Sequence, residues 1–190
     1  MQKLKDKILK EGKILKGNIV KVDSFLNHQI DTSLMSDIGA EFYRRFKNEK
    51  VTKILTIESS GIAIALLTGI VFNMPVVFAK KHKPAFNQED CYTSNVYSFT
   101  RKTEYEVSVS KEYIGKKDSI LIIDDFLATG SALNGLIDIT EKSGAKIAGV
   151  GIVIEKVFQK GGESIRNRGI KLSSLAKIKS IGTEGIEFED

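Results

Sequence analysis

Two apolar runs limit what this chain can fold into. Residues 120–123 (ILII) and 147–154 (IAGVGIVI) contain no charged or strongly polar side chain. A strand with one wet face alternates apolar and polar residues, so runs like these fit strands covered on both sides. Between them, 130–143 has helical spacing and stops near Gly144. Upstream, the strand-like VTKILTI (51–57), an apolar helix at 62–72 and PVVFAKK (75–81) repeat the alternation. Consecutive parallel strands need a crossover helix, so this order predicts an α/β fold, a central and mainly parallel sheet flanked by helices. The spacing predicts further helices over 3–11 and 33–47. Segments 94–100 and 104–110 alternate with period two and read as a hairpin. The ends, 1–30 and 165–190, read as shorter pieces packed around this core.

In such sheets ligands bind beyond the carboxyl ends of the strands. The segments there are ESSG (58–61), AKKHK (79–83), DDFLATGSA (124–132) and IEK (154–156). All four are polar and should converge. The third is the most telling. Small residues opening a helix present free backbone N–H groups, and the helix dipole favours an anion beside them. Ala128, Thr129, Gly130, Ser131 and Ala132 would admit a phosphate without steric obstruction. Neither the G-x-x-x-x-G-K-[ST] nor the G-x-G-x-x-G pattern occurs. Asp124 and Asp125 cannot bind that same phosphate. They suit a metal or the vicinal diol of a ribose, and a ligand with a ribose and a 5′-phosphate would use both parts of the loop.

The stretch ILIIDDFLATG (120–130) resembles the signature with which type I phosphoribosyltransferases bind phosphoribosyl diphosphate (PRPP). The likeness continues through KVDSFLNHQID (21–31), TIESSGIA (56–63), VVFAKKHK (76–83), NVYSFT (95–100) and GIVIEK (151–156). Over essentially the whole chain it is similar to the bacterial, xanthine-using branch of the purine phosphoribosyltransferase family. The resemblance implies the type I phosphoribosyltransferase fold in one domain, 1–190, with a small hood around the base from 1–35 and 157–190. It implies transfer of the phosphoribosyl group from PRPP to xanthine, giving XMP and pyrophosphate in purine salvage, with Mg²⁺, in a cytoplasmic homodimer.

Site roles come by the same route. Asp124 and Asp125 would hold the ribose hydroxyls, and the backbone of Ala128–Ala132 the 5′-phosphate. Asp125 is also a candidate acceptor for a purine proton, which the sequence does not separate from diol binding. Ser59, Ser60 and Gly61 match the pyrophosphate loop, led by Glu58. Lys80, Lys81 and Lys83 would meet pyrophosphate, from this subunit or its neighbour. Val20, Asn27 and Lys156 match base contacts, Val20 standing where Leu is expected. The implied Mg²⁺ would be carried mainly by PRPP oxygens, with no protein ligand assigned. Segment 84–94 reads as a lid or an ordinary surface loop. His82 reads as a polar or phosphate-contacting side chain, and His28 has no inferable partner.

The totals bound the alternatives. At 190 residues the chain suits one domain with a sizeable core, and it has two prolines and no low-complexity tract. A net charge of +5, from 29 basic and 24 acidic residues, is too mild to argue for nucleic acid without a reading motif. The charged N-terminus is no signal peptide, and no apolar run approaches the length of a membrane span. The single cysteine, Cys91, excludes an internal disulfide, suits a reducing cytoplasm and reads as an incidental loop thiol. Three rivals stay open: a phosphoribosyltransferase for guanine, hypoxanthine or adenine, a non-catalytic regulator of the same fold binding PRPP or purine, and a phosphoacceptor receiver domain. The regulator would carry a DNA-reading domain ahead of the core, and the receiver an acid pair near the start of the chain.

Overall fold

The computed structural model describes residues 1–16, 18–81, 88–98, 103–182 and 185–189. Helix α1 (Gln2–Glu11) leads into a small hairpin, β1 (Lys13–Leu15) and β2 (Ile19–Lys21), and a π-helical turn at Asp23–Asn27. Helix α2 (Thr32–Phe46), strand β3 (Lys53–Ile57), helix α3 (Ser60–Phe72) and strand β4 (Val76–Ala79) follow. A second hairpin, β5 (Cys91–Ser98) and β6 (Thr103–Ser110), precedes β7 (Ser119–Leu127), α4 (Ser131–Lys142) and β8 (Lys146–Lys156). Helix α5 (Gly161–Asn167) and strands β9 (Leu172–Gly182) and β10 (Gly185–Glu189) complete the order.

Six strands form the central sheet in the order β10-β9-β8-β7-β3-β4, all parallel except β10. The period of two in β7 divides its apolar residues between two cores. Leu121 and Ile123 pack with Leu4 and Ile8 of α1, Leu34, Ile38 and Phe42 of α2, and Ile64 of α3. Ile120 and Ile122 pack with Leu133, Leu136 and Ile137 of α4 and with Val96 and Val107 of the hairpin. A strand needed on both faces has no room for a polar residue, which is why the run 120–123 is unbroken. Helix α2 begins where Asp31 accepts the Leu34 N–H at 3.0 Å, a side-chain N-cap.

Three expectations change. Strand β7 runs past Asp124 to Leu127, because β8 is long enough to keep pairing it, Phe126 with Ile154 and Leu127 with Glu155. The acid pair therefore stands inside the last turn of sheet, with fixed backbone. Leu172–Gly182 and Gly185–Glu189 are strands of the main sheet rather than pieces packed around it. Their lysines and serines hid the alternation, although Leu175, Ala176 and Ile178 are buried. Cys91 is no loop thiol: it opens β5 opposite Ser110, so 91–94 of the segment read as a lid is strand. His82, Lys83 and 84–87 lie outside the described residues. Among the described residues no helix is long and apolar enough to cross a membrane.

Candidate active site

The carboxyl ends of β3, β4 and β7 meet around a cavity of about 170 Å³. The turn from β3 to α3 contributes Glu58, Ser59, Ser60 and Gly61, and β4 leads to Lys81. Asp124, Asp125 and Phe126 come from β7, and Ala132 from the start of α4. A second cavity, about 190 Å³, is lined by Ala128–Leu133 together with Tyr97 of β5. Tyr105, Phe126 and Ala132 line both, so the two are neighbours. One accepts groups beside the acid pair, the other a group at the head of α4. Lys81 reaches the first cavity from its own chain, while Lys80 pairs by its backbone with Ser108 of β6.

Asp124 is 4% exposed. Its Oδ1 accepts the Asp125 N–H at 3.0 Å, and Asp125 Oδ1 accepts the Phe126 N–H at 2.9 Å. Burial pushes the Asp124 carboxyl well above the usual range, and the adjacent Asp125 charge pushes it further. Burial raises Asp125 too, opposed by hydrogen bonds from the Phe126 amide, from Asp124 and from the Asn27 side chain. Two adjacent carboxyls of this kind titrate as a unit.

At the head of α4, Gly130 takes φ +88°, the left-handed conformation that turns the chain from β7 into the helix. The Ser131 hydroxyl accepts the Tyr97 N–H at 3.1 Å, tying the hairpin to the loop. Beneath, the Gly161 N–H donates to the Ala128 carbonyl at 3.1 Å. The α4 terminus thus offers free amides and a favourable dipole toward the second cavity.

The pyrophosphate-type loop has its own anchors. Glu58 Oε1 accepts the Lys81 N–H at 2.5 Å, and the Glu58 N–H donates to the Ala79 carbonyl at 3.1 Å. The Glu58–Ser59 peptide is cis, and α3 starts at Ser60. A Cβ at Gly61 would sit 2.1 Å from Thr56 Oγ1 and 3.0 Å from Asp124 Oδ1, so only glycine lets the turn lie against the acid pair. The Lys81 ammonium stands 5.7 Å from the centre of the Tyr105 ring.

The residues matched to the base line neither cavity and stand beyond Asp125 and Phe126. Asn27 closes the π-helical turn, and its side chain lies near enough to Asp125 to lower that carboxyl's pKa. Lys156 ends β8, donates to the Asn18 carbonyl at 3.0 Å and holds its ammonium 5.9 Å from the Phe126 ring centre. Burial pulls its pKa down. Val20 is buried in the cluster against which Phe126 packs. His28 is exposed one residue beyond the turn and lines neither cavity. Phe126, Tyr97, Tyr105 and Gly161 went unmarked in the sequence. Phe126 had a visible signal, its place directly after the acid pair. The tyrosines had none, because only the fold brings the hairpin over the loop.

Among the described residues no group of three or more His, Cys, Asp or Glu side chains is arranged to hold a metal. The carboxylates lining the first cavity are Glu58, tied to the Lys81 N–H, and the adjacent Asp124–Asp125 pair, a donor set suited to Mg²⁺ that keeps most of its ligands from a phosphate substrate.

The model of the family described as "Phosphoribosyl transferase domain" matches residues 21–173. Xanthine phosphoribosyltransferase of Finegoldia magna is 55% identical over 190 residues, and that of Clostridium tetani 57%, each covering all of both chains. Among solved structures, adenine phosphoribosyltransferase of Trypanosoma brucei, with AMP, pyrophosphate and ribose-5-phosphate, aligns with a TM-score of 0.73 at 21% identity. That alignment covers 92% of this chain and 79% of the other. The Giardia lamblia APRTase complexed with 9-deazaadenine aligns at 0.77 and 20% identity, covering 93% and 98%. Likeness at this level of identity concerns the fold.

Proposed function

The chain belongs to the phosphoribosyl transferase domain family, and from that premise we infer that it transfers the 5-phosphoribosyl group from PRPP to xanthine, yielding XMP and pyrophosphate. Choice of xanthine over guanine, hypoxanthine or adenine rests on relatives of full length and more than half identity that bear that activity in their names. One geometric observation carries the chemistry: an acid pair lies on the floor between an anion-accepting turn and the free head of a helix.

In the reaction the bond from C1 of the ribose to pyrophosphate breaks and a bond from C1 to a purine nitrogen forms. Positive charge develops on the ribose and negative charge on the leaving group. Asp125, with Asp124 beside it, accepts hydrogen bonds from the ribose hydroxyls and sets a negative charge under the developing cation. The backbone of Ala128–Ala132 holds the 5′-phosphate. Ser59, Ser60, Gly61 and Lys81 surround the pyrophosphate. Asn27 and Lys156 supply polar contacts to the oxopurine, Val20 an apolar one, and the proton released by the base goes to Asp125 or to water. Were Mg²⁺ bound, it would be held mainly by PRPP oxygens, with Asp124 and Asp125 the nearest carboxylate pair, and would supply positive charge for the departing pyrophosphate. The β1–β2 hairpin, the turn at 23–27 and the segment after Lys156 make up the hood.

A second copy of this chain is the proposed partner. Helix α3 has no charged residue, and its Leu66, Ile70 and Val71 are exposed beside the open edge of β4, where Phe78 is exposed too. A reducing cytoplasm suits a chain whose one thiol sits in a hairpin without a partner cysteine.

A PRPP-dependent assay with Mg²⁺ and each of the four bases tests the reading. Xanthine should turn over fastest. No turnover of any base, with PRPP binding intact, overturns it.

A further inference from the structure

Behind the phosphate loop lies an ion pair, a buried Glu155 held by a solvent-facing Arg166, that none of the substrate contacts uses. Glu155, the penultimate residue of β8, is 1% exposed. Its carboxylate takes a fork from Arg166 of α5, Nη1 to Oε1 at 2.8 Å and Nη2 to Oε2 at 2.7 Å, and a hydrogen bond from the Ser174 hydroxyl of β9. Arg166 holds the Glu155 carboxyl below its ordinary value in spite of burial. A carboxylate held out of water in this way is seldom the most stabilising choice, since well-packed apolar residues often do as well. What it provides is direction: a fork fixes the orientation of the helix that carries it.

That helix is the seat of the loop. A Cβ on Gly161 would fall 2.3 Å from the Ala128 carbonyl oxygen, 2.7 Å from Thr129 C and 2.8 Å from Gly130 N, so the first residue of α5 lies directly on the loop backbone. A Cβ on Gly162 would strike Glu155 Oε1 at 1.8 Å. The same two turns of chain therefore touch the ion pair on one side and the phosphate loop on the other. Arg168, just past α5, adds hydrogen bonds to Asn134 at 3.3 Å and Glu141 at 2.7 Å, both on α4. Glu155 itself pairs in register with Leu127, the residue before the loop.

We propose that Glu155 and Arg166 are positioning residues for the 5′-phosphate, the ion pair holding α5 as a brace that sets the backbone of Ala128–Gly130. This rests on the phosphoribosyl-transfer reading above. The brace acts on one end of PRPP and not on the base. A displacement of about an ångström at a binding loop is enough to cost roughly a hundredfold in function.

The test compares wild type with Arg166→Met, Arg166→Lys and the double variant Glu155→Gln/Arg166→Met. The double variant removes the uncompensated buried charge and so stays folded if Arg166→Met does not. We expect KM for PRPP to rise about tenfold or more in Arg166→Met or the double variant, with KM for xanthine changing less than about twofold and Arg166→Lys recovering part of the loss. Binding of ribose 5-phosphate, followed calorimetrically, should weaken in parallel. Variants that melt earlier but keep wild-type KM for PRPP and wild-type affinity for ribose 5-phosphate overturn the proposal, leaving the pair a structural strut. Failure of the wild type itself to turn over PRPP with any purine would instead overturn the function.

Discussion

The N–H of Asp125 donates to Asp124 Oδ1 at 3.0 Å, so the first carboxylate of the pair is folded back onto the strand that carries it. Asp125 repeats the arrangement with Phe126. Each acid is thereby locked to its own backbone at the point where β7 is still paired with β8. The pair is rigid before any substrate arrives, as electrostatic stabilisation of a developing charge requires. The same rigidity has a cost in stability, because neither group can swing out to water.

Replacing Asp124 by Asn should expose that cost. Its folded-state pKa lies well above the unfolded value, so the folded protein binds more protons than the unfolded chain and loses stability as pH rises between the two. Asp124→Asn keeps the oxygen that accepts the Asp125 N–H and removes the buried charge. Melting curves should show the variant more stable than wild type at pH 7.5, each kcal/mol appearing as about 2–4 °C in Tm, with the gain shrinking toward pH 4. The double change Asp124→Asn/Asp125→Asn should remain folded and lose at least about a hundredfold in kcat/KM. Near-normal turnover would refute the ribose assignment.

The Asn27 side chain helps to hold the Asp125 pKa down, behind the Phe126 amide and Asp124. With Asn27→Ala that support is gone and the Asp125 pKa rises. A reaction needing ionised Asp125 then fails at a higher pH, so the acid limb of kcat/KM should move upward. An unchanged limb together with a raised KM for xanthine would make Asn27 a base contact alone.

Lys156 connects the β1–β2 turn to the floor of the site through Asn18 and Phe126. Lys156→Met keeps an unbranched apolar stem over the Phe126 ring while deleting the ammonium. A charge-assisted hydrogen bond to the base is worth about 1.5–3 kcal/mol, roughly ten- to a hundredfold. KM for xanthine should rise by that factor and KM for PRPP hardly at all. Equal effects on both substrates would show that Lys156 acts by holding the hairpin in place.

The sequence made some of this legible and hid the rest for physical reasons. Residues 120–123 and 147–154 announced a doubly covered sheet because burial on both faces permits nothing else. The acid pair and the loop after it were visible because charge at the end of an apolar run demands an explanation. Strands β9 and β10 were obscured by lysines whose aliphatic stems lie along the sheet while their charges reach carboxylates, Lys177 to Glu189 at 3.0 Å and Lys179 to Glu187 at 2.7 Å. Tyr105 and Gly161 became site neighbours only through contacts between segments distant in sequence. No local pattern encodes such a meeting.

Gly61 is where the turn from β3 to α3 lies against the acid pair. Beneath it Thr56 is fully buried, and among the described residues its hydroxyl has no hydrogen-bond partner. In Gly61→Ala the new methyl would meet Thr56 Oγ1 at 2.1 Å and Asp124 Oδ1 at 3.0 Å. The turn must lift or Asp124 must shift, at about 1–3 kcal/mol of overpacking strain. The single variant should melt earlier and lose kcat. Thr56→Ala removes the nearer obstacle and abandons no hydrogen bond, so on its own it should be mild. Combined, Thr56→Ala/Gly61→Ala should regain much of the lost stability, a coupling measurable by a double-mutant cycle. If turnover returns with stability, the clash with Thr56 was the whole effect. If stability returns and turnover does not, the 3.0 Å approach to Asp124 is what the glycine protects. Additive losses in both stability and turnover would show that the turn does not rest on Thr56 at all.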